Sequence, residues 1–310
     1  MDIADISTVV EVAQPKWAEW RQHKADHARR LFHGRGHCYP GLEHVVVNWY
    51  PPYLHIGLYE SVDQRVQDAL VEGLSDALGG VVEGIVVQER AGRATRTSIV
   101  RGRVPEEHLV KEHGLNYWIN PTRNQNAGLF MDMSHVRSWL ATQMQGKRVL
   151  NLFAYTCAFS VSAIANGAVS VVNNDMSKNV LALGRRNHAA NHHDPRMVSM
   201  VPHNLFKSWW KLRQLAPYDI VIVDPPTNQR GSFVAEKSYG QVLKRLPEMS
   251  SSGALLVACL NSPFLGAEFI SQQVARWCPR ARFLHQFPLH EDYPDAFPER
   301  ALKVQAYRLN

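Results

Sequence analysis

The chain has 310 residues, of which 34 are basic and 28 acidic, giving a formal net charge of +6. Its 45% hydrophobic content is that of an ordinary globular protein, and its length allows two domains. No apolar run reaches the roughly 18 residues that a membrane span needs, and the first residues lack the layout of a secretory signal, so we expect a cytoplasmic protein. The positive charge is compatible with a nucleic-acid partner but does not establish one.

The cysteine and histidine patterns argue against a metal centre. The four cysteines are scattered without a CxxC pair: Cys38, Cys157, Cys259 and Cys278. This spacing favours neither a disulfide framework nor a zinc site. The histidine-rich segment 188–193 has no cysteine near it and is interpreted as a polar helix end. We therefore predict no metal site.

Residues 1–126 predict a small α+β domain. Periodicity indicates helices over 15–32 and 62–78 and strands over 44–50, 53–59, 81–88 and 97–100. The first helix is basic through Arg21, Lys24, Arg29 and Arg30. It is interpreted as a surface helix whose Trp17 and Trp20 dock on the domain, with an RNA-contacting element as the alternative. A second basic stretch is interpreted as a solvated loop, with a phosphate-contacting surface as the alternative. Its members are Arg90, Arg93, Arg96, Arg101 and Arg103.

Residues 127–310 alternate strands and helices, which predicts a doubly wound α/β sheet. The predicted strands are 148–153, a second one ending at Asp175, 196–201, 218–223, 254–259, 282–286 and 301–309. The predicted helices are 134–144, 159–166, 178–191, 205–215, 239–248 and 266–276. Trp209 and Trp210 are interpreted as packing under the short helix rather than as a platform for a base.

The segment 147–175 predicts a βαβ unit that binds an adenosine-containing cofactor. Its turn, residues 154–158, contains no glycine and so lacks the fingerprint that cradles the pyrophosphate of a dinucleotide. S-adenosyl-L-methionine has no pyrophosphate and suits this turn, while a structural turn in another α/β protein is the alternative. Asp175 is placed to accept hydrogen bonds from both ribose hydroxyls, because Ser177 is available to cap the next helix. His203 or Asn204, after the third strand, is placed to contact an adenine amino group.

A second motif, residues 224–227, follows the most apolar strand. An acid at the carboxyl end of a central strand lies in the crevice where open α/β sheets bind ligands. Two prolines keep the loop extended, so that its carbonyls remain available. We predict that this motif pins a planar, amino-bearing base; a strand-ending turn is the alternative. Its members are Asp224, Pro225, Pro226 and Thr227.

Five motifs in the same order resemble the bacterial large-subunit (23S) rRNA methyltransferase family (RlmI/RlmK-like). They are QNAGLFMD (125–132), NLFAYTCAFSVSA (151–163), VVNNDMS (171–177), IVIVDPPT (220–227) and HEDYPDAFPERALKVQAYRL (290–309). The resemblance implies a Rossmann-like class I methyltransferase domain over 127–310, S-adenosyl-L-methionine as the methyl donor and RNA, specifically rRNA, as the substrate. From the resemblance we expect no counterpart of the family's RNA-binding PUA module, and we expect the basic N-terminal helix to substitute for it.

The resemblance also implies site residues. The cofactor would be contacted by Gln125, Phe130, Asp132, Asn151, Phe153, Tyr155, Thr156, Asp175, Met176, His203, Asn204 and Asp224. Among them, Gln125, Phe130 and Asp132 are expected to form an entrance that closes over the cofactor. The reacting base would be faced by Asp224, Pro225, Pro226 and Thr227. The family usually has two glycines where this chain has Cys157 and Ala158, so a side chain there is expected to crowd the methionine part of the donor.

The fifth strand bears on the chemistry. In the cytosine-5 branch of the family a cysteine thiolate after this strand attacks the ring. Here Leu260 takes that place and Cys259 comes one residue early, which turns its side chain to the opposite face. Cys259 is therefore interpreted as a buried structural thiol, and methylation of a ring nitrogen, as in the guanine-N7 branch, is favoured. A methyltransferase of a non-rRNA substrate, and a binding protein that kept the fold without turnover, remain alternatives.

Overall fold

A computed structural model of the chain describes residues 3–23, 26–92, 95–123, 125–229 and 232–310. They form two compact units: Met1–Ser134 with His290–Phe297, and His135–Leu289 with Pro298–Asn310. Lys24 and Arg93, both predicted to lie in basic segments, fall outside the described residues. No helix in the described part of the chain is long and apolar enough to cross a membrane.

The first unit is an α+β domain, as predicted. Its elements are α1 (Ile3–His23), β1 (Arg29–His33), β2 (Val45–Tyr50), β3 (Tyr53–Leu58), α2 (Gln64–Leu78), β4 (Gly84–Glu89), β5 (Arg96–Gly102), β6 (His108–Glu112) and β7 (Leu115–Ile119). Strands β1 to β5 form one sheet in sequence order, in which only the β3–β4 pair is parallel, and β6 with β7 forms a separate hairpin. Asp63 caps the start of α2, its carboxylate accepting the N–H of Arg65, and the helix buries Leu70 and Leu74 in the core of this unit.

The predicted helix over 15–32 is wrong at both ends. The helix starts at Ile3 because Ile6, Val9, Ala13 and Trp17 form one continuous buried stripe at helical spacing, and Pro15 lies inside it. The residues from Arg29 onward instead form β1, which pairs with β2. Trp17 is buried with its ring centroid 4.9 Å from that of Trp49, so its predicted docking is confirmed.

Two further features of this unit differ from the sequence analysis. Arg96 and Arg101 lie on β5, an exposed edge strand, and not in a loop. The β6–β7 hairpin was not predicted, because its two strands have five residues each and a mixed polar and apolar pattern.

The second unit is built on a seven-stranded sheet in the order β10-β9-β8-β11-β14-β16-β15. Its elements are α3 (Ser134–Ala141), β8 (Arg148–Leu152), α4 (Ala158–Ala165), β9 (Ser170–Asn174), α5 (Lys178–Ala190), β10 (Val198–Val201), α6 (Trp209–Gln214), β11 (Tyr218–Val223), β12 (Asn228–Gln229), β13 (Phe233–Val234), α7 (Ala235–Leu243), β14 (Ser250–Leu260), α8 (Phe269–Trp277), β15 (Arg282–Gln286) and β16 (Lys303–Leu309). Strand β16 is antiparallel to both of its neighbours, whereas β8 to β11 and β14 are mutually parallel. The doubly wound class is therefore confirmed.

The strand order locates the ligand crevice. From β8 the chain proceeds outward to β9 and β10, and then returns to the other side of β8 with β11. The order thus reverses between β8 and β11, and ligands of open α/β sheets bind at the carboxyl ends of the strands at such a switch point. Short β12 and β13 form a hairpin immediately after β11.

Element boundaries were predicted closely for β11 and β15 and less well for α6 and α7. The predicted helix over 205–215 is divided into a 3-10 turn, Leu205–Lys207, and α6. Helix α7 starts four residues before the predicted position, and Pro247 prevents its continuation into the segment before β14. The buried Leu246 made that segment resemble a helical face in the sequence.

Candidate active site at the carboxyl edge of the sheet

Four parallel strands end at the same level. Leu152 at the end of β8 pairs with Asn174 of β9 and with Val223 of β11, and Asn174 pairs with Val201 of β10. The residues that follow these strands therefore lie along one edge. They are Phe153, Tyr155, Thr156, Asp175, Met176, His203, Asn204, Asp224, Pro225, Pro226 and Thr227. The structure thus brings together most of the predicted site residues.

The turn after β8 has an unusual backbone. Phe153, Tyr155 and Cys157 have φ angles of 59°, 47° and 66°, in the left-handed region that favours glycine. Each such residue costs roughly 1–2 kcal/mol, so the surroundings must hold the turn in place. The N–H of Ala154 donates to the carbonyl of Asn174 at 3.0 Å, and the buried amide of Asn187 donates to the carbonyl of Thr156 at 2.9 Å.

Asp175 ties the turn to the end of β9. One of its carboxylate oxygens accepts the N–H of Tyr155 at 3.0 Å, and the other accepts the N–H of Ser177 at 2.9 Å. Burial raises the pKa of this carboxyl, while backbone N–H groups of Ser177, Tyr155 and Met176 act in the opposite direction. The hydroxyl oxygen of Ser177 accepts the N–H of Val180 and caps α5, as predicted.

Cys157 does not project into the crevice. Its side chain is fully buried in a small cluster with Ala154 and Leu181, and its Sγ lies 3.9 Å from Sδ of Met200. Burial, and secondarily the charge of Asp175, raises the pKa of its thiol. The crowding of the donor that was expected at Cys157 and Ala158 stays a prediction, although the thiol of Cys157 itself lies in this buried cluster.

A chain of buried polar side chains supports the turn from within. Asn151 donates to Asn173, whose amide donates to the hydroxyl oxygen of Ser160, each at 2.9 Å. The same Oγ lies 2.9 Å from Nε2 of His188, and burial lowers the pKa of this histidine to about 3, so that it is neutral. Asn151 was predicted to contact the cofactor, but its side chain is 1% exposed and is engaged inside the sheet. The chain of polar contacts extends from His188 to His193, whose Nδ1 atoms are 2.9 Å apart.

No group of three or more potential metal-ligating side chains converges anywhere in the described part of the chain. The prediction that the protein has no metal site therefore stays a prediction.

The loop after β10 is fixed by Asn174. Its amide donates to the carbonyls of Val201 and His203 at 3.0 and 2.9 Å. The side-chain oxygen of Asn204 accepts the N–H of Phe206 at 2.9 Å and thereby caps the 3-10 turn. His203 is left exposed. Asn174 was missed by the sequence analysis because a buried amide inside an apolar strand has no distinctive spacing.

The loop after β11 is fastened to the loop after β14. The hydroxyl of Thr227 donates to the carbonyl of Asn261, and its own carbonyl accepts the N–H of Ala235 at 3.1 Å. The buried ammonium of Lys303 donates to the carbonyl of Ser262 at 2.8 Å. These hydrogen bonds hold the loop that contains Asp224 in a fixed position.

An aromatic layer lies behind this loop. The rings of Phe153 and Phe233 meet edge to face at 5.0 Å, and Phe233 in turn contacts Tyr239. The hydroxyl of Tyr239 donates to the carbonyl of Cys259 at 3.0 Å. Burial, followed by Cys259 and the charge of Asp224, raises the pKa of this tyrosine.

Cys259 is fully buried within β14, between β11 and β16. Leu256, Ala258 and Leu260 belong to one core cluster and Cys259 does not, so Cys259 and Leu260 point to opposite faces of the sheet.

A comparison of the whole chain with models of protein families identifies a family that is consistent with this fold and with the polar residues at its carboxyl edge. A family model described as S-adenosylmethionine-dependent methyltransferase matches residues 29–308. The chain belongs to this family. The protein is therefore an enzyme that uses S-adenosyl-L-methionine as its methyl donor, and the alternative of a binding protein without turnover is not supported.

Two relatives of this methyltransferase are named as methyltransferases of large-subunit ribosomal RNA, and a solved structure has the same fold. YwbD of Bacillus subtilis (strain 168), named as a candidate ribosomal RNA large subunit methyltransferase, is 29% identical over 88% of this chain and 72% of its own length. Ribosomal RNA large subunit methyltransferase I of Shigella boydii is 25% identical over 95% of this chain and 77% of its own. The crystal structure of SMU.776, a candidate methyltransferase complexed with SAH, superposes with a TM-score of 0.88 at 24% identity, covering 99% of this chain and 82% of that one. The last comparison establishes the fold.

Three predicted cofactor contacts belong to the first unit of the methyltransferase. Gln125 is exposed, and its carbonyl accepts a hydrogen bond from the guanidinium of Arg90. Phe130 is 43% exposed, and Asp132 lies in the 3-10 turn Met131–Met133. Their predicted role as an entrance to the donor site stays a prediction.

Proposed function

We propose that this methyltransferase transfers a methyl group to a base of large-subunit ribosomal RNA in the cytoplasm, with a ring nitrogen favoured over cytosine C5 as the acceptor. The observation that carries the proposal is the similarity, over 88% and 95% of the chain, to relatives named as large-subunit rRNA methyltransferases. The net charge of +6 supports a polyanionic substrate.

The donor site of the proposal is the edge formed by the β8 turn and the end of β9. A carboxylate has about four acceptor positions, and the N–H groups of Tyr155, Ser177 and Met176 that act on Asp175 leave capacity for a ribose hydroxyl. Met176 beside it is 42% exposed and offers apolar surface to an adenine ring. The bound donor supplies an electrophilic methyl group, and the protein has to orient the acceptor atom towards it.

The acceptor site is the loop after β11, which hydrogen bonds hold in place. The carboxylate of Asp224 and the carbonyl of Pro225 are hydrogen-bond acceptors for the amino and ring N–H groups of a base. Pro226 holds the loop extended, and Thr227 secures it through Asn261. Alignment of the lone pair of a ring nitrogen with the methyl group needs no covalent intermediate. N7 of guanine carries no proton, so methylation there leaves the base with the positive charge of the donor's sulfonium.

The burial of the thiols favours methylation of a ring nitrogen over methylation of cytosine C5. Cytosine-5 methylation requires a thiolate nucleophile, and thiolates form at exposed, electropositive positions. In the second unit Cys157 and Cys259 are fully buried, and burial raises the pKa of Cys157 and raises that of Cys278 to about 11. None of these three side chains has the environment of an activated nucleophile.

The test compares rRNA from a strain that lacks the gene with rRNA from its parent by mass spectrometry of nuclease fragments. We expect one methyl group on one large-subunit base to be missing, and purified protein with labelled S-adenosyl-L-methionine to restore it. Identical methylation profiles would refute the rRNA assignment. Asp224→Ala should abolish the restoration while calorimetry finds the donor affinity nearly unchanged; full activity of this variant would refute the role of Asp224.

A further inference from the structure

A cavity lies at the carboxyl edge, beside the outermost parallel strand. Its volume is about 340 Å³, within the range of roughly 300–1,000 Å³ that is usual for ligand sites. It follows β10, the edge strand of the seven-stranded sheet, and includes the start of α6. It is lined by His203, Asn204, Lys207, Ser208, Trp210 and Lys211.

The two tryptophans of this segment have different environments. Trp209 is half-buried, packs against the core and contacts Phe206 with its ring centroid at 6.2 Å. Trp210 is 62% exposed. The packing interpretation is therefore confirmed for Trp209 and wrong for Trp210. An indole held on a short helix with its surface open to solvent is a platform on which a planar ring can stack.

The charges around Trp210 are of one sign. Lys207 and Lys211 both line the cavity, and neither forms an ion pair with a carboxylate in the described part of the chain. The next basic residue, Arg213, is instead paired with Glu248 at 2.9 Å. Two positive charges that no described carboxylate offsets thus line this one cavity.

We infer that this cavity binds a nucleotide of single-stranded RNA that flanks the target base, with the base stacked on Trp210 and a phosphate between Lys207 and Lys211. The inference rests on the proposed function and adds to it a contact outside the site at Asp224. Aromatic platforms beside cationic side chains are the means by which proteins hold unpaired nucleotides.

The methyl donor is a poorer occupant of the same cavity. S-adenosyl-L-methionine has an adenine ring but no phosphate, and its one carboxylate is outweighed by an ammonium and a sulfonium. Its net positive charge is therefore unfavourable beside two lysines. The lysines and the exposed indole together match a polynucleotide.

The experiment measures RNA affinity without turnover. Filter binding of the full chain to unmodified large-subunit rRNA fragments is performed in the absence of donor, and calorimetry with S-adenosyl-L-methionine is performed in parallel. Trp210→Ala should weaken RNA binding by about 5- to 100-fold, and Trp210→Phe should retain most of the affinity. Lys207→Ala and Lys211→Ala should each reduce the slope of log affinity against log salt by about 0.7. Donor affinity should be unchanged in all four variants.

Matched controls come from the other borders of the same unit. Lys147→Ala alters an exposed lysine at the amino end of β8, and Phe283→Ala removes a 53% exposed ring from β15, at the opposite sheet edge from β10. Both should bind RNA like the wild type.

Unchanged RNA affinity in Trp210→Ala, while the wild type still methylates rRNA, would overturn this inference and leave the proposed function standing. A loss of donor affinity without a loss of RNA affinity would assign the cavity to the donor instead. A wild type that neither binds nor methylates the RNA would overturn both proposals.

Discussion

The thiol of Cys157 occupies the space that a side chain at residue 184 would need. A Cβ built on Gly184 would lie 2.4 Å from Sγ and 3.0 Å from Cβ of Cys157. Gly184 is buried inside α5, where glycine costs about 1 kcal/mol relative to alanine. The turn and the helix therefore form one packing unit, in which the absence of a side chain at 184 accommodates the extra side chain at 157.

Gly184→Ala should lower the free energy of unfolding by about 1–3 kcal/mol in spite of its better helix propensity, because the new methyl group overpacks the contact. Cys157→Gly removes the thiol and also suits the φ of 66°. In that background Gly184→Ala should be tolerated, with a coupling energy of about 1 kcal/mol or more. Urea denaturation of the two single variants and the double variant measures this coupling. Strict additivity would contradict the packing relationship.

This pair illustrates what the sequence could predict and what it could not. The apolar runs of β8, β9 and β11 and the polar residues after them were readable because strand burial and the carboxyl-edge rule are local patterns. The position of Sγ against Gly184 depends on how α5 packs on the turn, and no local pattern encodes that packing. A glycine inside a helix was nevertheless a usable signal, since it often marks a close contact.

Asp175→Asn should weaken S-adenosyl-L-methionine binding, because an amide replaces one carboxylate oxygen with a donor group where ribose hydroxyls need acceptors. Burial raises the pKa of Asp175, so protonation of the wild-type carboxyl starts at a higher pH than for an ordinary aspartate near 3.9. Donor affinity of the wild type should therefore fall as the pH drops through this raised pKa. The variant should have a low affinity without that pH dependence. Calorimetry at a series of pH values measures both.

A matched control for this variant is Asp219→Asn, at the amino end of β11. Its carboxylate accepts the N–H of Arg148 at 2.9 Å and the hydroxyl of Ser251 at 2.8 Å, at the sheet edge opposite the proposed site. It should bind the donor like the wild type. If Asp175→Asn also keeps wild-type affinity, Asp175 does not hold the ribose.

Cys259→Ala should retain methyl transfer within about tenfold of the wild-type rate, because ring-nitrogen methylation needs no covalent intermediate. Single-turnover measurements with rRNA fragments give the rate, and denaturing gels detect any protein–RNA adduct. Cys278→Ala, which alters another buried thiol at the amino edge, provides the comparison for packing effects. Loss of activity by several orders of magnitude in Cys259→Ala alone, with an adduct in the wild type, would establish the cytosine-5 route instead.

The segment His290–Phe297 is held in the first unit by a buried ion pair. Nε and Nη2 of Arg29 donate to the two carboxylate oxygens of Asp292 at 2.8 and 2.9 Å, and Lys16 lies 3.3 Å from the same carboxylate. Asp292→Ala removes the bidentate partner of a buried guanidinium and leaves it only the exposed Glu291 at 3.2 Å, so it should destabilise the protein by about 3 kcal/mol. Thermal denaturation measures the loss, and limited proteolysis should cut within 290–297.

The double variant Arg29→Met with Asp292→Ala distinguishes two causes of destabilisation: loss of the attraction between the two side chains, and burial of an arginine charge without Asp292. Removing both members should recover much of the stability, because the cost of Asp292→Ala arises mainly from the desolvated arginine that it leaves behind. The exposed pair Arg123 and Glu106 is the control, and Glu106→Ala should change stability by no more than about 1 kcal/mol. If Asp292→Ala proves as mild as Glu106→Ala, the buried pair does not hold this segment, and its attachment depends instead on the ring of Tyr293, over which the guanidinium of Arg30 lies at 4.6 Å.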